Sequence, residues 1–110
     1  KWNSGKYPKK LKKAMKNSDT VISAWDNGKL VGLMSAISDG SMNVFFPYLL
    51  IKPQYQGLGI GKTILVKMLN KYKNYYRKSL YCNFDKLNFY EKFGFQADSS
   101  RISLAIEDEV

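Results

Sequence analysis

Pro53-Gln54-Tyr55-Gln56-Gly57-Leu58-Gly59-Ile60-Gly61-Lys62-Thr63 lies between an apolar extended run, Leu49-Leu50-Ile51-Lys52, and an amphipathic helical run, so it reads as a glycine-rich turn from strand to helix. Glycines at 57, 59 and 61 admit positive φ and present no Cβ, which lets successive backbone amides converge on an anion at the positive end of the following helix. Register excludes two phosphate-binding patterns. A Walker-type loop needs glycine five residues ahead of Gly61-Lys62-Thr63, where this chain has Gln56. A dinucleotide fingerprint opening at Gly57 needs glycine at 62, the position of Lys62. The pattern that remains is Gln56-x-x-Gly59-x-Gly61.

Working outward, Pro8 opens a helix running to about Asn17, with Tyr7, Leu11, Ala14 and Met15 as its apolar positions. Residues 20–25 and 30–37 read as strands joined by the hairpin turn Asp26-Asn27-Gly28-Lys29, and Ser38-Asp39-Gly40-Ser41 makes a second turn. Residues 42–52 form a long apolar strand containing Pro47, which a regular central ladder does not accept, so a bulge or splay is expected there. After the glycine loop, Ile64, Leu65, Met68, Leu69 and Tyr72 recur at helical spacing. A strand over 79–82, a helix over 85–93 stopped by Gly94, and a final strand or pair from Phe95 and 101–106 complete the order. The whole reads as an α/β domain, a mixed, mostly antiparallel sheet flanked by helices.

At 110 residues, 45% hydrophobic and 15% aromatic, the chain is long enough for one packed domain, 1–110, and too short for two. It begins at Lys1 and not at methionine, which leaves room for a trimmed or partial chain. No apolar run approaches a membrane span and no signal pattern opens the chain, so a cytoplasmic protein with no membrane partner is expected. The lone Cys82 agrees with a reducing compartment. With no histidine, the commonest metal ligand and general base are missing, and no metal site is expected. A net charge of +9 attracts polyanions, but Lys6, Lys9, Lys10, Lys12, Lys13 and Lys16 are spread along the first helix and read as a solvated face. Nucleic acid is therefore the less favoured partner.

A second segment, Asn88-Phe89-Tyr90-Glu91-Lys92-Phe93-Gly94-Phe95, follows the glycine loop at the distance one family would place it. Together the two segments resemble the acyl-CoA loop and the C-terminal Phe-Tyr-Glu-Lys-x-Gly-Phe motif of the GCN5-related N-acetyltransferase (GNAT) family, over roughly residues 20–106. The resemblance implies an acetyl-CoA-dependent N-acetyltransferase in which a primary amine attacks the thioester directly within a ternary complex. It implies that main-chain groups of Leu49 and Ile51 pair with the pantetheine arm, and that an amide at Leu49 or Leu50 polarises the thioester carbonyl. Amides from Gln56 through Gly57, Leu58, Gly59, Ile60 and Gly61 to Lys62 would hold the pyrophosphate, and Asn83 would contact the pantetheine. Tyr90 matches the general acid; a phenol of ordinary pKa about 10 is protonated at neutral pH. Members of the family usually carry a further strand and helix ahead of the segment matching Tyr7, absent or reduced here.

The base is unassigned. Residues 42–56 contain no carboxylate, and Tyr48 stands where family members often carry one. Ordered water, Tyr48 or the tail carboxylates Glu107, Asp108 and Glu109 remain open. Asp39 reads as a turn residue, Cys82 as a small buried hydrophobe without a histidine to activate it, and Trp2 and Trp25 carry no functional signal. Phe45, Phe46 and Tyr48 either line an acceptor pocket or, on at least one face, belong to the core. A small or aromatic amine is the expected acceptor, since the basic surface repels a polycation. A catalytically weak CoA-binding module is the alternative, and oligomeric state is open, a homodimer included.

Overall fold

The computed structural model describes residues 8–108, so the expectations for Trp2, Lys6, Tyr7 and Glu109 lie outside the described residues. Helix α1, Pro8–Asn17, starts at its proline, whose fixed φ suits a first helical position. Leu11 and Met15 are half-buried while Lys9, Lys10, Lys12, Lys13 and Lys16 are exposed, as is Ala14, which sequence placed on the apolar side.

Strands β1, Thr20–Asp26, and β2, Lys29–Ser38, form an antiparallel hairpin. Its turn has φ of 50° at Asn27 and 78° at Gly28, the paired left-handed residues that match the twist of the flanking strands. The second turn is held by Asp39, whose Oδ1 accepts from the amides of Ser41, Met42 and Asn43 and whose Oδ2 accepts from Asn43 Nδ2. Asp39 is thus occupied structurally.

The expected 42–52 strand is broken into β3, Asn43–Phe45, and β4, Leu49–Ile51, with Pro47 between them. Both pair antiparallel with β2, β3 at Ile37 and Ser38 and β4 at Gly32, Leu33 and Met34. Strand β5, Arg77–Ser79, runs parallel to β3, and the sheet order is β1-β2-β3-β5. The last link across to β5 is the amide of Phe46 donating to the Ser79 carbonyl at 3.0 Å. Beyond Pro47 the chain follows β2, with the Ser35 amide donating to the Tyr48 carbonyl at 3.0 Å, and β4 parts from the course of β5. This also corrects the 79–82 strand. Its ladder lies at Arg77–Ser79 because residues past Ser79 have lost β4 as a neighbour.

Helix α2, Ile60–Lys71, covers one face of the sheet. Ile64, Leu65, Met68 and Tyr72 are buried against Met34, Ala36, Val44 and Phe46, each such large side chain contributing about 1.5–3 kcal/mol relative to exposure. Thr20 Oγ1 and the Tyr72 hydroxyl share a 2.6 Å hydrogen bond that anchors the helix end to β1. Phe46 is core, edge-on to Tyr72, whereas Phe45 faces the other way against Tyr81.

The expected 85–93 helix is a 3-10 turn, Phe84–Lys86, leading into α3, Leu87–Glu91. The final strand is not formed: residues 101–106 have no sheet partner among the described residues and are exposed. Cys82 is likewise exposed and not the buried hydrophobe expected, since it sits on the chain continuing from an edge strand.

Candidate active site

The splay between β4 and the chain beyond β5 opens a cleft of about 520 Å³. One wall is Leu49 and Ile51, the floor is the glycine loop with Gln56, Gly57 and Gly59, and the start of α2 adds Ile60, Gly61 and Lys62. The opposite wall comes from the 3-10 turn and α3, through Asp85, Lys86, Phe89 and Tyr90. Elements far apart in the chain therefore enclose one space.

Strand parity decides which main-chain groups face it. The Tyr48 carbonyl accepts from Ser35, and the Lys52 amide donates to the Val31 carbonyl at 2.9 Å, so both residues turn toward β2. Leu50, paired with Leu33 between them, has the same parity, and its amide belongs to the β2 ladder. Leu49 and Ile51 point their amides and carbonyls the other way, into the splay. Of the two amides expected to face a thioester, that of Leu49 is turned toward the cleft and that of Leu50, the residue expected to be catalytic, is turned toward β2. The Leu50 side chain lines a separate hollow on the opposite face with Leu30 and Leu33.

The loop splits in the same way. The Gln56 amide donates to the Pro53 carbonyl at 3.2 Å, closing the 3-10 turn Pro53–Tyr55, and is no longer free for an anion. The Gln56 side chain instead donates from Nε2 to the Ile51 carbonyl at 3.0 Å, fastening the loop to β4. Gly57 and Gly59 take φ of 81° and 86°, which only glycine adopts without strain. Gly61 does not have positive φ, and a Cβ there would meet Ile51 Cγ1 at an ordinary 3.7 Å, so the backbone fold does not itself demand glycine at this position. Leu58 leaves the cleft, 68% exposed, and lines a neighbouring hollow beside Ile22 and Ala24 of β1.

Gly59 is the N-cap of α2, with no side-chain cap and no acidic residue in the first turn. Its carbonyl accepts both the amide and the hydroxyl of Thr63 at 3.0 Å. The amides of Ile60, Gly61 and Lys62 precede the first intrahelical donor and are left at the positive end of the helix dipole, facing the cleft. Among the cleft residues, the Lys62 ammonium adds charge at this point.

Tyr90 is 9% exposed and meets Phe89 edge-on at 5.0 Å. Burial pushes its phenol above the ordinary value of 10.0, with the neighbouring Cys82 adding to the shift, so the hydroxyl keeps its proton at neutral pH. Its hydroxyl has no hydrogen bond among the described residues, leaving it available to a ligand. The Cys82 thiol is also raised, by desolvation and then by Asp85, which opposes a thiolate nucleophile.

Asn83 does not line the cleft; it is the N-cap of the 3-10 turn, its carbonyl accepting from the Lys86 amide at 2.9 Å. Sequence reasoning missed Tyr55, Asp85, Lys86 and Phe89. The signal for the last three was present, because 85, 86, 89 and 90 share one face at helical spacing. Tyr55 had none: its hydroxyl donates to Asp26 Oδ2 at 2.6 Å, a contact across 29 residues.

Residues 1–104 match the family model described as the acetyltransferase (GNAT) domain. The chain belongs to the GNAT family. It is 35% identical over 96 residues to the uncharacterised N-acetyltransferase ycf52 of Pyropia yezoensis, covering 82% of this chain and 55% of that protein. It is 29% identical over 106 residues to a protein of Glycine max named histone acetyltransferase TAP1, covering 84% and 46%. The chain thus spans about half the length of the curated relatives it matches. Among solved structures, a GNAT family acetyltransferase of Streptococcus pneumoniae superposes with TM-score 0.81 at 28% identity, over 92% of this chain and 80% of that one. The mixed, mostly antiparallel sheet flanked by helices is the GNAT fold.

Proposed function

We propose that the chain is an acetyl-CoA-dependent N-acetyltransferase that passes an acetyl group to a primary amine by direct attack in a ternary complex. One observation carries the reading: a single cleft brings together the open amides of α2, the outward main chain of Leu49 and Ile51, and the protonated Tyr90. Acetyl-CoA supplies an acyl group already activated as a thioester. The amides of Ile60, Gly61 and Lys62 bind its pyrophosphate, with glycine at 57 and 59 clearing the approach. The main chain of Leu49 and the amide of Ile51, whose carbonyl is held by Gln56 Nε2, pair with the pantetheine arm like an added strand, and the Leu49 amide stabilises the developing oxyanion. As the amine nitrogen forms the new C–N bond and the C–S bond breaks, Tyr90 donates to the leaving sulfur. Asn83 keeps no role in this scheme.

The acceptor class best supported is a small or aromatic amine. A chain of net charge +9 repels a polycationic tail, so the name of the Glycine max relative is not carried over. The proton lost by the amine is not assigned to a side chain: Asp85 is the one carboxylate lining the cleft among the described residues, and Glu107 and Asp108 are exposed in the tail. That scarcity favours the second reading, CoA binding without turnover. The single exposed cysteine supports a reducing compartment, which we read as the cytoplasm.

Calorimetric titration with acetyl-CoA, against ATP and a short oligonucleotide at physiological salt, tests the cleft, and acetyl transfer across an amine panel tests the chemistry. Selective binding with transfer supports the enzyme. Selective binding without transfer to any amine leaves the binding module. Equal or absent acetyl-CoA binding removes both.

A further inference from the structure

Two phenols line the cleft, and only one has a proton to give. The Tyr90 hydroxyl has no partner among the described residues, whereas the Tyr55 hydroxyl donates to Asp26 Oδ2 at 2.6 Å. That hydrogen bond, with desolvation and the Asp26 charge behind it, pushes the Tyr55 phenol above the ordinary 10.0. Tyr55 therefore keeps its proton committed to Asp26 across neutral pH and is not a second acid.

The bond matters for what it connects. Tyr55 ends the 3-10 turn that leads into Gln56 and Gly57, and Asp26 ends β1 at the hairpin turn, paired there with Lys29. The contact spans 29 residues. Every other hydrogen bond of residues 53–59 stays within residues 51–63: Gln56 to the carbonyls of Pro53 and Ile51, the Tyr55 amide to the Lys52 carbonyl at 2.9 Å, and Thr63 to the Gly59 carbonyl. Those bonds tie the loop only to the two elements it joins. Packing adds little, since a Cβ at Gly57 or Gly59 would meet nothing within 4 Å and Leu58 is mostly exposed. The orientation of the loop against the hairpin thus falls to one charge-assisted hydrogen bond.

We propose that Tyr55, held by Asp26, is a positioning residue for the diphosphate of the acyl-CoA: it fixes the glycine loop so that the open amides of Ile60, Gly61 and Lys62 meet the anion in one direction, while its ring forms part of the cleft wall. The inference rests on the acetyl-CoA reading above. A loop without this tie presents its amides over a range of directions, and the ligand must order it on binding, which weakens affinity without touching the thioester.

Calorimetric titration of the full chain with acetyl-CoA and with S-acetylpantetheine, which has the thioester arm but no diphosphate, tests this. Tyr55→Phe keeps the ring and removes the hydroxyl, Asp26→Ala removes the acceptor, and Asp26→Asn leaves an amide oxygen in its place. Tyr55→Phe and Asp26→Ala should each weaken acetyl-CoA binding roughly three- to tenfold, with no further loss in the double variant. Asp26→Asn should stay within about twofold of the parent, and S-acetylpantetheine affinity should be unchanged in all of them. Tyr55→Phe binding acetyl-CoA as tightly as the parent overturns the proposal. So does an equal loss for both ligands, the mark of a residue that only stabilises the fold. A parent chain that does not bind acetyl-CoA overturns the underlying reading and this one together, whereas a parent that binds beside variants that match it overturns this one alone.

Discussion

Tyr90 and Phe95 are joined twice: the Phe95 amide donates to the Tyr90 carbonyl at 3.4 Å, and their rings meet edge-on at 5.8 Å. With the Gly94 amide donating to the Glu91 carbonyl at 3.1 Å and Gly94 at φ 95°, this is a Schellman end to α3, complete with its apolar contact. The helix terminus is thus also the device that holds the proposed acid. Gly94→Ala forces a side chain into left-handed backbone and should cost about 1–2 kcal/mol. Denaturant unfolding reads the stability loss, and turnover should fall with it as Tyr90 loses its seat; an unchanged midpoint would mean that the motif does not hold α3.

Tyr90→Phe keeps the ring packing and removes only the hydroxyl. Turnover should fall by roughly 10²-fold or more while acetyl-CoA affinity stays within about twofold. Because burial raises the phenol above 10.0, the acid form persists across neutral pH. Turnover of the parent chain should therefore rise with pH as the amine deprotonates, with no loss attributable to Tyr90 below about pH 10. A descending limb between about pH 7 and 9 that vanishes in Tyr90→Phe would contradict the raised value.

Gly59 and Gly61 should respond in opposite ways to alanine. Gly59 has φ 86°, so Gly59→Ala should lose about 1–2 kcal/mol and weaken acetyl-CoA binding by distorting the start of α2. Gly61 is inside the helix and an added Cβ meets Ile51 at an ordinary 3.7 Å, so Gly61→Ala should hold or gain stability by up to about 1 kcal/mol. Equal losses in thermal unfolding would show that both positions need glycine for the same reason.

Asp39 contributes to the acid dependence of stability, as does Asp98, whose carboxyl is also lowered, by the hydrogen bonds it accepts from Ser100. Three backbone donors and Asn43 Nδ2 lower the Asp39 carboxyl well below the usual 3.8. A depressed folded pKa contributes stability that is fully present above the unfolded value and is lost as pH falls through the folded one. Asp39→Asn should therefore unfold more easily than the parent at pH 6, and the two midpoints should converge as pH drops below 3.8. A difference that persists unchanged at pH 2 would place its origin in packing and not in the carboxylate.

Features that depend on a few neighbouring residues were legible in the chain: the Asn27-Gly28 turn, the buried stripe of α2, the interruption at Pro47, and the stop at Gly94. Local φ preferences and the 3.6-residue period act without reference to distant partners. The motif order that marks the family is of the same kind. Tertiary structure alone decided which of Leu49, Leu50 and Ile51 turn their amides to the cleft, because strand parity follows from pairing with Leu33 and a slip of one residue inverts it. It also spent the Gln56 amide on Pro53, kept Asn83 out of the cleft, and brought Tyr55, Asp85, Lys86 and Phe89 in. Residues 101–106, expected as a strand but without a sheet partner among the described residues, show the limit most plainly. Their alternation is written in the sequence, but a strand exists only when another edge accepts its hydrogen bonds, and that edge lies outside the segment itself.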